Sequence, residues 1–192
     1  VIRRAVVTFQ GFTEDLSAET GTEALYRNVI RPRANAEMMT LLPVEWDHPP
    51  GKLVGALHRM GITSLVVIGY SWGGGYGAQR FAHAALRAGL AVDLMLLCDP
   101  VYRPLWLPPC LGTLPLALRA LIPDSAVIRV PHGVRRVAAV RQAISLPRAH
   151  KLHLGPATAS PLTRVLPYSH TAIDSAPEWH ALVDFELAAL DS

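Results

Sequence analysis

Charge is scarce in this chain. Asp, Glu, Lys and Arg make up 17% of its 192 residues, against 51% hydrophobic. Disordered chains show the opposite balance, so the composition is that of a folded protein. Lysine is nearly missing: apart from Lys52 and Lys151, every residue that carries a fixed positive charge is Arg. The net charge is a modest +3, and no basic run is interleaved with aromatics, which argues against nucleic acid as a partner. Arg31-Pro32-Arg33 and Arg135-Arg136 read as solvated surface. Cysteine is limited to Cys98 and Cys110, too few for a disulfide framework or a zinc finger. Cys98 follows the apolar run Leu94-Met95-Leu96-Leu97 and reads as a small buried hydrophobe; a bridge to Cys110 has no support in the sequence. Apolar residues fall in short runs, none of them the ~20 residues of a transmembrane segment. No signal peptide is visible, and the compartment stays open between a cytoplasmic and a phage-associated setting.

What is present fits one domain, 1–192, with a sizeable core and no internal repeat. Strand-like and helix-like segments alternate, the pattern of an α/β fold: a three-layer α/β/α sandwich with a mostly parallel central sheet. Strands are expected at residues 5–9, 37–44, 64–68, 92–98, 126–130, 134–140, 149–154 and 162–166. Helices are expected at 17–29, 51–60, 73–88 and 177–190, with Gly61 and Gly89 as stops and Pro177 suited to a first turn. Residues 64–68 (Ser-Leu-Val-Val-Ile) are almost continuously apolar, as in a strand covered on both faces. Residues 100–125 are apolar and broken by proline, so they cannot form one long helix and read as a small cap.

Between the strand at 64–68 and the helix after it stands Gly69-Tyr70-Ser71-Trp72-Gly73, a match to G-x-S-x-G. A strand, a tight turn and a glycine-rich helix start form the setting of a nucleophile elbow, which lifts a serine hydroxyl above the sheet edge. The helix N-terminus adds positive dipole where negative charge would develop. Ser71 is therefore the candidate nucleophile. It needs a base, and of eight histidines His170 is preferred: it lies late in the chain, on a loop after a short strand and before the last helix. His153 is held in reserve. The base needs an acid to hold its tautomer. Asp99 ends the strand after the nucleophile helix, at the edge where open α/β sheets bind ligands; Asp174 and Asp124 are its rivals. Oxyanion donors are expected from the backbone of Trp72, and from Phe12 or secondarily Gln10 in the loop after the first strand. Tyr70, Tyr102 and Trp106 are expected to line an apolar substrate pocket. No metal or other cofactor is implied.

These motifs resemble the α/β-hydrolase superfamily, and more narrowly lipases and esterases, such as the pancreatic type, that carry the acid directly after the strand following the nucleophile helix. Phe9-Gln10-Gly11-Phe12 is similar to their oxyanion segment, with Gln10 where His is usual. Gly69-Tyr70-Ser71-Trp72-Gly73 matches their elbow, and Leu97-Cys98-Asp99-Pro100 looks like their acid segment. The resemblance spans residues 5–185. It implies a minimal α/β-hydrolase fold, a triad of Ser71, Asp99 and His170, and Phe12 and Trp72 as oxyanion donors. The implied activity is hydrolysis of a small-molecule or lipid-like carboxylic ester through an acyl-enzyme on Ser71. A thioesterase or acyltransferase with the same triad stays open, as does a non-catalytic binding protein on this scaffold. The natural substrate and the oligomeric state are not legible.

Overall fold

The most apolar runs of the sequence form the middle of a parallel sheet. The computed structural model describes residues 3–12, 20–35, 38–101, 127–145, 149–156, 158 and 162–190. The strands are β1 (Arg4–Phe9), β2 (Met38–Thr40), β3 (Ser64–Tyr70), β4 (Ala91–Cys98), β5 (Val127–Arg129), β6 (Val134–Gln142), β7 (Lys151–His153) and β8 (Leu162–Leu166). Six of them form one sheet in the order β2-β1-β3-β4-β6-β8. Every strand pairing among the described residues is parallel.

A parallel sheet needs crossovers, and these supply the outer layers. The helices are α1 (Gly21–Leu25), α2 (Pro50–Arg59), α3 (Ala78–Arg87) and α4 (Pro177–Ala188). Alternate residues of each strand serve opposite faces. Val7, Leu65, Val67, Met95 and Leu97 pack with Val54, Leu57, Phe81 and Ala85 of α2 and α3. Val6, Val66, Ile68, Leu94 and Leu96 pack with Leu25 of α1 and with Trp179, Leu182 and Val183 of α4. Two apolar faces explain why the central strands read as unbroken apolar runs. Each large side chain buried here, such as Phe81 or Trp179, contributes roughly 1.5–3 kcal/mol by leaving water.

The chain leaves β1 outward to β2, then returns past β1 to β3 and continues to β4. The direction of winding therefore reverses between β1 and β3. Helices diverge to opposite faces at such a point and leave a crevice beyond the strand ends.

Several elements depart from expectation. The strand expected at 37–44 is described from Met38 and ends at Thr40, with Val44 rejoining β1 as an isolated bridge to Phe9. Pro43 lies in the gap, and proline has no N–H for a ladder. The strand expected at 126–130 is described from Val127 and runs to Arg129; it pairs with Lys151–His153 in a separate two-stranded sheet. The helix at 17–29 is described from α1, where the Thr20 hydroxyl accepts from the Glu23 N–H at 3.1 Å; it widens to a π turn at Tyr26–Ile30. The helix at 73–88 likewise opens with a π turn, Gly73–Gly77. Gly61 and Gly89 do end their helices, at φ +77° and +83°. Most of the expected cap, residues 102–125, lies outside the described residues, as does Cys110. Among the described residues no helix is long and apolar enough to cross a membrane.

Thr8 shares the sheet face of Val6, is 1% exposed, and its hydroxyl has no hydrogen-bond partner among the described residues. Replacing an unpartnered buried hydroxyl by an isosteric methyl removes a desolvation cost. Thr8→Val is expected to keep or raise stability, by up to about 1 kcal/mol. The readout is the urea midpoint at unchanged m-value; a loss larger than that would mean the hydroxyl is paired.

Candidate active site

Tyr70 and Cys98 are the last register partners of β3 and β4. The residues that follow them, Ser71 and Asp99, turn into the left-handed region, at φ +51° and +41°. Among the described residues no other non-glycine residue has positive φ. This conformation costs a residue with a Cβ about 1–2 kcal/mol, and such strain concentrates at functional sites.

The turn at Ser71 is possible because two neighbours lack side chains. A Cβ on Gly69 would lie 2.6 Å from the Gly74 Cα, and one on Gly73 would lie 2.3 Å from the Gln10 carbonyl oxygen. The elbow is thus wedged against both its own helix and the end of β1. The carbonyl of Ser71 is tied in turn to the segment after Asp99, accepting from the Val101 N–H at 2.9 Å.

Three side chains converge here. The Ser71 Oγ lies 2.8 Å from the His170 Nε2, and the His170 Nδ1 lies 2.5 Å from the Asp99 Oδ2. A carboxylate can only accept, so Nδ1 carries the proton and Nε2 presents its lone pair to the serine hydroxyl. All three residues are buried, Asp99 completely. The carboxylate is compensated by the imidazole on one oxygen and by the Gln142 main-chain N–H, at 3.0 Å, on the other. Burying a carboxylate is costly unless it is hydrogen-bonded in this way.

The rival acid Asp174 does not meet the imidazole Nδ1. It lies buried in a 3-10 turn, Ile173–Ser175, whose carbonyl at Asp174 faces the His180 Nε2 at 2.9 Å. The reserve base His153 is an exposed residue of the two-stranded sheet. Asp124, Tyr102 and Trp106 lie outside the described residues. Tyr70 was expected on the pocket wall; its hydroxyl instead donates to the His170 carbonyl at 2.6 Å, and its ring stacks on the imidazole at 5.4 Å.

In the loop after β1, the main-chain N–H of Gln10 donates to the Val44 carbonyl at 2.9 Å. That donor belongs to the sheet ladder and is taken away from an oxyanion. The Gln10 side-chain amide is buried with no partner among the described residues. One residue on, a Cβ at Gly11 would lie 3.3 Å from the Ser71 Cβ, so the loop runs directly against the serine. Phe12, 47% exposed, lays its ring on Trp72 with centroids 4.2 Å apart. Trp46 contacts both rings and also Tyr76, making a continuous aromatic cluster beside the elbow. Sequence reading missed Trp46 and Tyr76, as it missed Gln142. The available signal for Gln142 was its place as the polar residue ending a buried strand.

No protein-family model matches the chain, and no curated protein does. Solved structures do. The RedJ thioesterase from the prodiginine biosynthetic pathway of Streptomyces coelicolor superposes with a TM-score of 0.57 at 15% identity, over 97% of this chain and 85% of that one. The Vlm2 thioesterase domain superposes with a TM-score of 0.50 at 12% identity, over 100% of this chain and 94% of that one. ClbQ, from the colibactin NRPS/PKS pathway, gives a TM-score of 0.50 at 12% identity, over 98% and 97%. The fold is that of the α/β-hydrolases. At these identities the likeness concerns the fold and carries no activity with it.

The wedge at the elbow predicts opposite outcomes for two glycines. Gly73→Ala sets a methyl against main-chain carbonyls that cannot yield, and is expected to cost at least about 2 kcal/mol. Gly51→Ala lies in α2 with nothing within 4 Å of its new Cβ, and is expected to gain about 0.5–1 kcal/mol. Denaturant melts of the two variants test the order; equal effects would contradict the close packing.

Proposed function

We propose that this protein is a serine hydrolase that cleaves an acyl thioester or ester through an acyl-enzyme on Ser71. The observation that carries this reading is the buried chain of contacts from the Ser71 Oγ through His170 to Asp99, at 2.8 and 2.5 Å. A neutral serine hydroxyl is a poor nucleophile, and a base within hydrogen-bond reach, itself oriented by a carboxylate, supplies what it lacks.

In this reading His170 Nε2 takes the Ser71 proton as Oγ bonds to the acyl carbon. The carbonyl electron pair moves onto oxygen, and the main-chain N–H groups of Phe12 and Trp72 hold that charge. Asp99 stabilises the imidazolium. The carbonyl re-forms as the bond to the leaving group breaks, and His170 returns the proton to that group. Water then repeats the cycle on the acyl-enzyme and frees the acid. The leaving group favoured is a thiol. Two fold neighbours are thioesterases, and a thiol of pKa about 8.5 leaves with less help than an alcohol.

The acyl part favoured is apolar. The cluster of Phe12, Trp72, Trp46 and Tyr76 begins at the loop that touches Ser71, and aromatic walls with few polar groups suit apolar ligands. Phe12→Ala keeps the backbone donor but removes the exposed ring. It is expected to raise KM several-fold for a long-chain or aromatic acyl substrate and to leave an acetyl substrate unchanged.

The main test pairs labelling with turnover. A fluorophosphonate probe is expected to modify Ser71, with labelling absent in Ser71→Ala and sharply reduced in His170→Ala. Turnover is expected to fall on the order of 10⁶-fold in Ser71→Ala, and no further in the double variant, because the residues act as a unit. A thioester and an oxyester with the same acyl group and matched leaving groups, each referred to its uncatalysed hydrolysis, decide the bond; a larger acceleration for the oxyester would reverse the leaving-group assignment. Folded protein that neither labels nor turns over would sink the reading.

A further inference from the structure

His170 sits on a loop between β8 and the 3-10 turn at Ile173–Ser175, and loops are the least constrained parts of a fold. Its side chain needs a fixed origin if Nε2 is to stay on the serine. Both main-chain groups of His170 are held. The carbonyl accepts from the Tyr70 hydroxyl at 2.6 Å, and the N–H donates to the Ser145 Oγ at 2.8 Å. Tyr70 belongs to the nucleophile strand, whereas Ser145 belongs to the turn after β6.

That turn is organised by one side chain. The Gln142 Oε1 accepts from the N–H groups of Ile144 and Ser145, each at 2.8 Å, and the Gln142 Nε2 donates to the Ser145 carbonyl at 3.0 Å. The main-chain N–H of the same Gln142 donates to the Asp99 Oδ1. The bonds close a ring. Asp99 reaches the imidazole directly through Oδ2, and reaches the His170 backbone through Gln142 and Ser145. One route sets the angle of the carboxylate; the other sets the position of the loop that carries the imidazole.

From this closed ring we infer that Gln142 and Ser145 are positioning residues for the proposed base, acting on its geometry without touching substrate. The inference rests on the reading of Ser71, His170 and Asp99 given above. Gln142 is suited to the role because an amide both accepts and donates, and the turn needs both. A carboxylate at that place would have no N–H for the Ser145 carbonyl and would set one acceptor oxygen against another. Ser145 is suited because a hydroxyl on a short side chain can accept from a main-chain N–H of another element. With Ser145 gone, the His170 N–H loses its acceptor, and the imidazole gains freedom at its origin. A misplacement of about 1 Å between reacting groups costs on the order of 100-fold in rate.

The test compares Ser145→Ala, Ser145→Thr and Gln142→Glu in the full chain. Two readouts are needed. The first is the downfield proton resonance of the His170 Nδ1–H···Asp99 bond, which does not require a substrate. It is expected to be sharp in the parent protein and in Ser145→Thr, and broadened or lost in Ser145→Ala and Gln142→Glu. The second is steady-state turnover of an acyl thioester. In Ser145→Ala, kcat is expected to fall about 10- to 100-fold with KM within about twofold, and Ser145→Thr is expected to recover most of the loss. Thermal melts accompany both, so that loss through unfolding is recognised. An unchanged resonance and unchanged kcat in folded Ser145→Ala would overturn the positioning role. So would a loss that Ser145→Thr fails to recover in folded protein. Failure of the parent protein to label or turn over, with the resonance still dependent on Ser145, would instead strike the hydrolase reading and leave the ring intact.

Discussion

The parallel ladder between β3 and β4 ends at the pair Tyr70 and Cys98, and the next residue on each strand turns left-handed. Strands in a sheet lie about 4.8 Å apart, so a hydroxyl and a carboxylate leaving neighbouring strands at one level stand within one imidazole of each other. Everything else at the site follows from that register. A shift of one residue in either strand would send Ser71 or Asp99 to the opposite face and leave His170 without one of its partners.

Holding two residues in a strained backbone and burying a carboxylate both oppose folding, and the surrounding structure offsets them. The strands beneath are covered on both faces by apolar residues of four helices, which makes the ladder rigid up to its last pair. The strain is confined to the rim. The elbow is backed by the end of β1 and by Gly74, and the stretch after Asp99 is bonded to the Ser71 carbonyl. Asp99 also continues the ladder, its N–H donating to the Val140 carbonyl at 2.8 Å. The carboxylate has a partner on each oxygen, so its burial in a low-dielectric setting strengthens its hold on the imidazole. Winding reverses between β1 and β3, and this places the loop after β1, with Gly11 and Phe12, on the other side of the serine. Among the described residues, the serine is flanked by aromatic rings on the side of the β1 loop and by a network of hydrogen bonds on the side of His170.

The parts of this arrangement that could be read in advance are those in which local pattern and tertiary role coincide. The apolar run at 64–68 and the glycines around Ser71 announced a strand, a sharp turn and a helix, and the structure has them. His170 could be picked out by its place late in the chain, and Asp99 by its place at a strand end. Other positions hold contacts that the sequence does not announce. Tyr70 was legible as an aromatic beside the serine, but its contacts with the His170 carbonyl and imidazole were not. Gln10 looked available because its loop is where donors are expected, yet its N–H is used by the returning chain at Val44. The run at 126–130 was legible as a strand, but its partner, Lys151–His153 in a separate two-stranded sheet, was not, since composition does not specify a partner.

By itself the sequence determined the class of fold, the elbow and the short set of acids and bases that chain order allows, because hydrophobic periodicity, glycine and proline act over a few residues. Only the tertiary structure decided which of them meet. Asp99 over Asp174, His170 over His153, and Gln142 with Ser145 behind them are contacts across long stretches of chain, set by strand register and crossover geometry. A hydrogen bond between distant segments leaves no periodic trace in either one. It exists once the sheet has fixed where each strand stops.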